Sequence, residues 1–249
     1  MRGLLAVALL VFASSVVAEP GDNGWQTWRI EKQPGVGELC CYRNGRTAGC
    51  DLDGAPGANR EDAGLPGGKR FARVYARMLN GRIMDVHTFS DSCPVTTATP
   101  MNDLGLVDNS SSVVWLASLM DNINVDEVLL SLSLHAGEDA MQRLVASSRE
   151  GRPRQEREQA VFWMAQHRAT EATALILDFA RNDPSRQFRE HAVFALSQLP
   201  DGDNVSALES ILADRSVPMD SRKQALFWLA DTDSDDAFAI IDRLLSENQ

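Results

Sequence analysis

The sequence predicts an α+β chain in two parts: a small, mostly β domain stapled by disulfides, then an α-solenoid of helical hairpins. Three observations predict it. The four cysteines, Cys40, Cys41, Cys50 and Cys93, all lie in the first half of the 249 residues. Gly, Pro and turn dipeptides punctuate residues 19–105 and thin out after Asn109. One apolar helix face is written three times, as EQAVFWMAQ at 158–166, EHAVFALSQ at 190–198 and KQALFWLAD at 223–231.

The chain opens on a predicted export signal over residues 1–18. Arg2 supplies the charge, residues 4–12 are apolar, and small Val16 and Ala18 precede a cleavage point before Glu19. The apolar run is too short to anchor in a bilayer, and no later segment reaches spanning length. An exported, periplasmic or secreted protein follows. In an oxidising compartment four cysteines read as two disulfides.

Residues 19–105 are expected to form the small domain. Asn44-Gly45 and Asn80-Gly81 favour the two-residue hairpin turn, because both residue types tolerate positive φ. Strands are predicted at 25–30, 71–79 and 82–89, with a loop over GAPGANREDAGLPGG. With Asn44-Gly45 as the turn, Arg43 faces Arg46, and Cys41 and Cys50 become diagonal neighbours on one face. Cys41–Cys50 is favoured, and a bulge at Gly49 could instead bring Cys40 to Cys50. Either way Cys93 takes the remaining member of the adjacent pair.

Residues 106–249 are expected to be helical. Asn109 and Ser110 are candidate caps for a helix carrying Val113, Val114, Leu116, Ala117 and Met120. Val128, Ala160, Ala192 and Ala225 then open four first helices at a near-constant spacing. Acids recur at the start of each second helix, at Asp139, Glu171, Asp203 and Asp236, where exposed N–H groups favour them. Arginines recur before the last three first helices, at Arg157, Arg189 and Arg222. A pair of about 32 residues cannot bury two apolar faces alone, so each copy must pack on the next.

This pattern, over about residues 125–247, resembles HEAT repeats, in particular the short bacterial type grouped with phycobilin-lyase HEAT-like repeats. The first copy departs from it, with Val125 where later copies have arginine. The resemblance implies an α-solenoid and a binding role. It carries over no catalytic residue.

Composition narrows the partners. Without residues 1–18 the net charge is about −12, from 35 acids against 23 bases once Arg2 is lost. That opposes nucleic acid as a partner. Residues 201–249 hold eleven acids and four bases, which suits a basic protein partner. No catalytic constellation, metal set or cofactor motif is legible, so the chain is expected not to be an enzyme. It reads as a protein–protein interaction scaffold of the cell envelope. Two alternatives are a thiol–disulfide protein using Cys40 and Cys41, and a glycan binder using Trp25 and Trp28. His135 and His167 are equivalent in the repeat and read as donors at helix ends.

Overall fold

A computed structural model describes residues 23–43, 46–47, 49–54, 60–62, 70–121, 123–200, 202–232 and 234–246. The expected export signal and the Asn44-Gly45 turn lie outside the described residues.

The first part is β. Its strands are β1 (Gly24–Glu31), β2 (Leu39–Arg43), β3 (Arg46–Thr47), β4 (Cys50–Asp51), β5 (Arg60–Asp62), β6 (Phe71–Leu79), β7 (Arg82–Ser90), β8 (Val95–Thr96) and β9 (Met101–Leu106). The main sheet has the order β7-β6-β1-β9. β6 and β7 form the hairpin expected from Asn80-Gly81, whose φ values of 52° and 72° are those such a turn requires. β1 pairs antiparallel with β6 and parallel with β9. Gly24 permits the latter approach. A Cβ there would sit 2.5 Å from the Pro100 carbonyl oxygen, which accepts the Trp25 N–H.

Two expectations are corrected. Residues 60–62, read as part of a loop, pair as β5 with β2, Leu39 opposite Asp62. Backbone pairing at an edge asks little of side chains, so no alternation marks it. Likewise Asp108, and not Asn109 or Ser110, caps the first helix by accepting the Ser111 N–H at 2.9 Å. Asn109 is taken up elsewhere. Its amide donates to the carbonyls of Glu31 and Ala136 and accepts the Glu31 N–H.

The rest of the described chain is helical: α1 (Asn109–Ala117), α2 (Val125–Leu134), α3 (Glu138–Ser148), α4 (Arg154–His167), α5 (Ala169–Asn182), α6 (Arg186–Ser197), α7 (Asp203–Ala213), α8 (Met219–Asp231) and α9 (Asp235–Ser246). After α1 they run as four consecutive pairs. Among the first helices, α2 packs on α4, α4 on α6 and α6 on α8. Val128, Ala160, Ala192 and Ala225 are all fully buried. Small residues at three of these positions let the helix axes approach closely.

Sheet and helices share one apolar core. Trp28, Ile30, Val74 and Val86 from the sheet cluster with Leu116, Val128, Leu129 and Leu132. A second cluster under the far side of the sheet holds Trp25, Tyr75, Phe89 and all four cysteines. Cys40 is bonded to Cys93 and Cys41 to Cys50, with Cα separations of 5.5 and 5.2 Å.

Candidate functional site on the row of first helices

The register arginines act at the seams between helix pairs. Arg157 donates Nε to the Ser148 carbonyl at the end of α3 (2.9 Å) and Nη2 to the Asp183 carboxylate at the end of α5. Its guanidinium lies 3.6 Å from the Phe188 ring centroid on α6. Arg189 donates to the Asp183 carbonyl (2.8 Å) and to Asp220 Oδ2 on α8 (2.6 Å). Arg222 donates Nε to the Leu212 carbonyl on α7 (3.1 Å). Each arginine therefore meets carbonyls at or just past the end of a preceding second helix, where a cation is favoured.

The register acids are not gathered into one site. Asp139 accepts from Ser110 Oγ. Glu171 accepts from Arg168 (3.2 Å) and Gln33 (3.1 Å). Asp203 sits exposed in the first turn of α7. Asp236 lines a shallow groove of about 520 Å³ between α7 and α9, beside Glu209 and its ion-pair partner Arg243.

Where the sheet meets α1 and α2 there is a buried polar chain. Trp28 Nε1 donates to Ser112 Oγ (2.9 Å), and that hydroxyl donates to His135 Nε2 (2.8 Å). His135 Nδ1 then donates to the Ser131 carbonyl (2.7 Å). A neutral imidazole satisfies both contacts, with Nδ1–H on the carbonyl and Nε2 accepting from the hydroxyl. Burial, helped by the Arg168 guanidinium, lowers its pKa to about 4. His167 Nδ1 donates to Ser133 Oγ at 2.7 Å and is likewise lowered to about 4 by burial, then by Arg168 and Lys32. Arg168 is itself 2% exposed and donates to the carbonyls of His135 and Gly137. No spacing in the sequence marks Arg168, Ser112 or Asp183, because His135, Trp28 and Arg157, the partners that tie them in, lie far along the chain.

The exposed chemistry of the helix row is aromatic. Phe162, Phe194 and Phe227 occupy one register position on α4, α6 and α8. The rings of Phe162 and Phe194 lie parallel with centroids 6.1 Å apart. Phe194 meets Trp228 at 5.2 Å, and Trp228 meets Phe227 at 5.0 Å. Phe162 and Phe194 are half-buried and Phe227 is 58% exposed. The ribbon thus opens toward α8.

No protein-family model and no curated protein matches the chain. Among solved structures, the complex of CpcE and CpcF of phycocyanin lyase from Nostoc sp. PCC7120 matches at a TM-score of 0.36 and 17% identity. The match covers 55% of this chain and 89% of that one.

That comparison overturns one expectation. The sequence reads as that of a non-enzyme, and the matched structure is of a lyase complex. Local spacing is a poor guide to such an exclusion, since folding joins Ser133 to His167 across 34 positions. The two alternative sites fare differently. Cys40, Cys41, Cys50 and Cys93 are all bonded and buried, and no cysteine is free. Trp25 and Trp28 are each 1% exposed, with their N–H groups spent on Asp53 and Ser112. Neither offers an accessible thiol or ring.

Asp53 is the hub of that corner. It accepts from Trp25 Nε1, from the hydroxyls of Thr97 and Thr99, and from the Ala98 and Thr99 N–H groups. These donors, Thr97 first, hold its carboxyl well below the usual carboxylate range.

Proposed function

We propose that this chain is an exported protein whose helix pairs form a HEAT-like α-solenoid, and that it works as a protein-interaction scaffold in the cell envelope. Its partner is a protein with a basic surface. The observation that carries the reading is the aromatic ribbon of Phe162, Phe194 and Phe227, repeated at one register position and left partly open. Aromatic side chains are the usual anchors of protein interfaces. The surplus of seven acids in residues 201–249, eleven against four bases, supplies the charge that a basic partner answers. Export is supported by the two bonded cysteine pairs, which persist in oxidising compartments. The register arginines serve the seams between helix pairs.

The test is affinity purification of the full chain from the envelope fraction of its source cells, beside a Phe194→Ser, Phe227→Ser variant. A protein recovered with the wild type and lost with the variant, at unchanged melting temperature, supports the ribbon as the contact. Equal recovery with both would end the case for it.

A further inference from the structure

We infer that the four cysteines form a two-electron exchange relay. When a dithiol reduces either bridge, the chain moves the remaining bond to Cys50–Cys93 and leaves Cys40 and Cys41 as adjacent thiols on β2. The inference stands apart from the scaffold reading and concerns the far side of the sheet.

The four sulfur-bearing residues meet in one cluster with Trp25, Leu52, Tyr75 and Phe89. Cys40 is bonded to Cys93 and Cys41 to Cys50, so both bridges start from adjacent residues of β2. Their far ends also meet. The Cys50 and Cys93 sulfurs lie 3.7 Å apart, in contact across the two bridges. Backbone pairing holds those far ends together without help from either bridge. Cys50 stands opposite Val95 where β4 runs parallel to β8, and its N–H donates to the Pro94 carbonyl at 2.8 Å. A thiolate freed at Cys93 or at Cys50 is therefore already seated against a sulfur of the other bridge. Disulfides exchange by thiolate attack on sulfur, and holding the reactants in contact speeds that attack.

Entry is at Cys93, which sits in the turn after β7 and is the most exposed of the four at 7%. Local opening of a surface turn exposes its sulfur. One thiolate of the dithiol attacks the Cys93 sulfur, and Cys40 leaves as a thiolate. The second thiolate closes the dithiol into its own disulfide and expels Cys93 as a thiolate, so the dithiol gives up two electrons. Cys93 then attacks the Cys50 sulfur. The Cys50–Cys93 bond forms, the Cys41–Cys50 bond breaks, and Cys41 keeps the electron pair. Cys40 and Cys41 take up the two protons that the dithiol released. If the dithiol opens Cys41–Cys50 first, Cys50 attacks Cys93 and expels Cys40. Both routes end on the same bond. β2, fastened in the oxidised chain to β4 and to the Cys93 turn, is then fastened to neither. It is held by its pairing with β3 and β5 and by the cluster of Leu39 with Leu130 and Leu134 of α2.

The experiment treats the full chain with limiting dithiothreitol until the distribution is steady, quenches it in acid, alkylates free thiols and maps the peptides. Among chains that keep one disulfide, Cys50–Cys93 with alkylated Cys40 and Cys41 should exceed each original bridge severalfold. Cys40→Ser and Cys41→Ser, mapped without reductant, should converge on that same bond, although each leaves a different original bridge available. In the purified one-disulfide form, amide exchange across β2 should rise severalfold while β6 and β7 keep their protection. One-disulfide chains that retain mainly Cys40–Cys93 or Cys41–Cys50, or direct passage from two disulfides to none, overturn the inference whether or not the variants fold. Folded variants that keep the original bridge overturn it too, and unchanged exchange at β2 overturns its release. Each of these outcomes leaves the aromatic ribbon as it was.

Discussion

Arg157 reaches the Asp183 carboxylate across the length of one helix pair, and both residues are buried. The same guanidinium caps α3 and covers the ring of Phe188, so one side chain touches three successive pairs. Removing it strands a buried carboxylate. Arg157→Ala should lose about 3–5 kcal/mol of stability. Arg157→Lys should recover only part, because a lysine cannot span the carbonyl and the carboxylate with one planar fork. Urea unfolding followed by helical circular dichroism measures both. A loss under about 1 kcal/mol for the alanine variant, the level of an exposed pair, would remove the clamp.

Ala160, Ala192 and Ala225 are equivalent and fully buried. Ala192→Asp should cost on the order of 4 kcal/mol by placing a charge in a packed seam. Ala160→Asp should match it. Thermal melts of the single variants decide this, and two wild-type melting temperatures would mean the register is wrongly set.

Acid should unfold the chain through its histidines. His135 and His167 have folded pKa values of about 4, below the ordinary 6.5. Below pH 6.5 the unfolded chain binds protons that the folded one refuses. Stability is thus full above pH 6.5 and falls as pH drops toward 4. At the low end the loss is on the order of 3 kcal/mol for each histidine. Burial lowers His191 as well, so His135→Gln, with His167 and His191 retained, should flatten the slope between pH 6.5 and 4 without abolishing it. An unchanged slope would show that His135 does not carry it.

The bridge from Cys40 to Cys93 closes 53 residues and should contribute about 4 kcal/mol in the chain-entropy account. Peptide mapping without reductant should recover Cys40–Cys93 and Cys41–Cys50. The Cys50 and Cys93 sulfurs lie only 3.7 Å apart, so the mapping is a real discrimination. A Cys50–Cys93 peptide would contradict the arrangement.

The helix pairs are legible in the sequence because burial enforces them. A seam repeated once per helix pair demands the same apolar face each time, and that demand is written as Ala160, Ala192 and Ala225. The β6–β7 hairpin is legible for a similar reason, since only a few residue types accept the φ of Asn80 and Gly81. β9 is not. Its residues Met101–Leu106 are mostly exposed and join β1 through the backbone, which leaves no side-chain alternation to read. Nor is Asp53, whose partners are hydroxyls and N–H groups more than 40 positions away, apart from the Trp25 indole. The aromatic ribbon stands in the sequence as a repeated Phe, yet only the fold shows which copies remain open. Asp108 and Asn109 show the limit of local rules: adjacent residues both suited to capping, separated by a tertiary contact to Glu31 and Ala136.

Asn109 binds the backbone of β1 to the turn after α2, and Trp28 and Ile30 enter the same core as Val128 and Leu129. This makes lengthening of the protein directional. A duplicated helix pair inserted after Leu199 would meet a seam on both sides that already accepts its kind. One inserted ahead of α2 would have to part the sheet from its own core. Helix pairs can thus be added among their own kind, whereas the junction between sheet and α2 is held fixed by a core the two share.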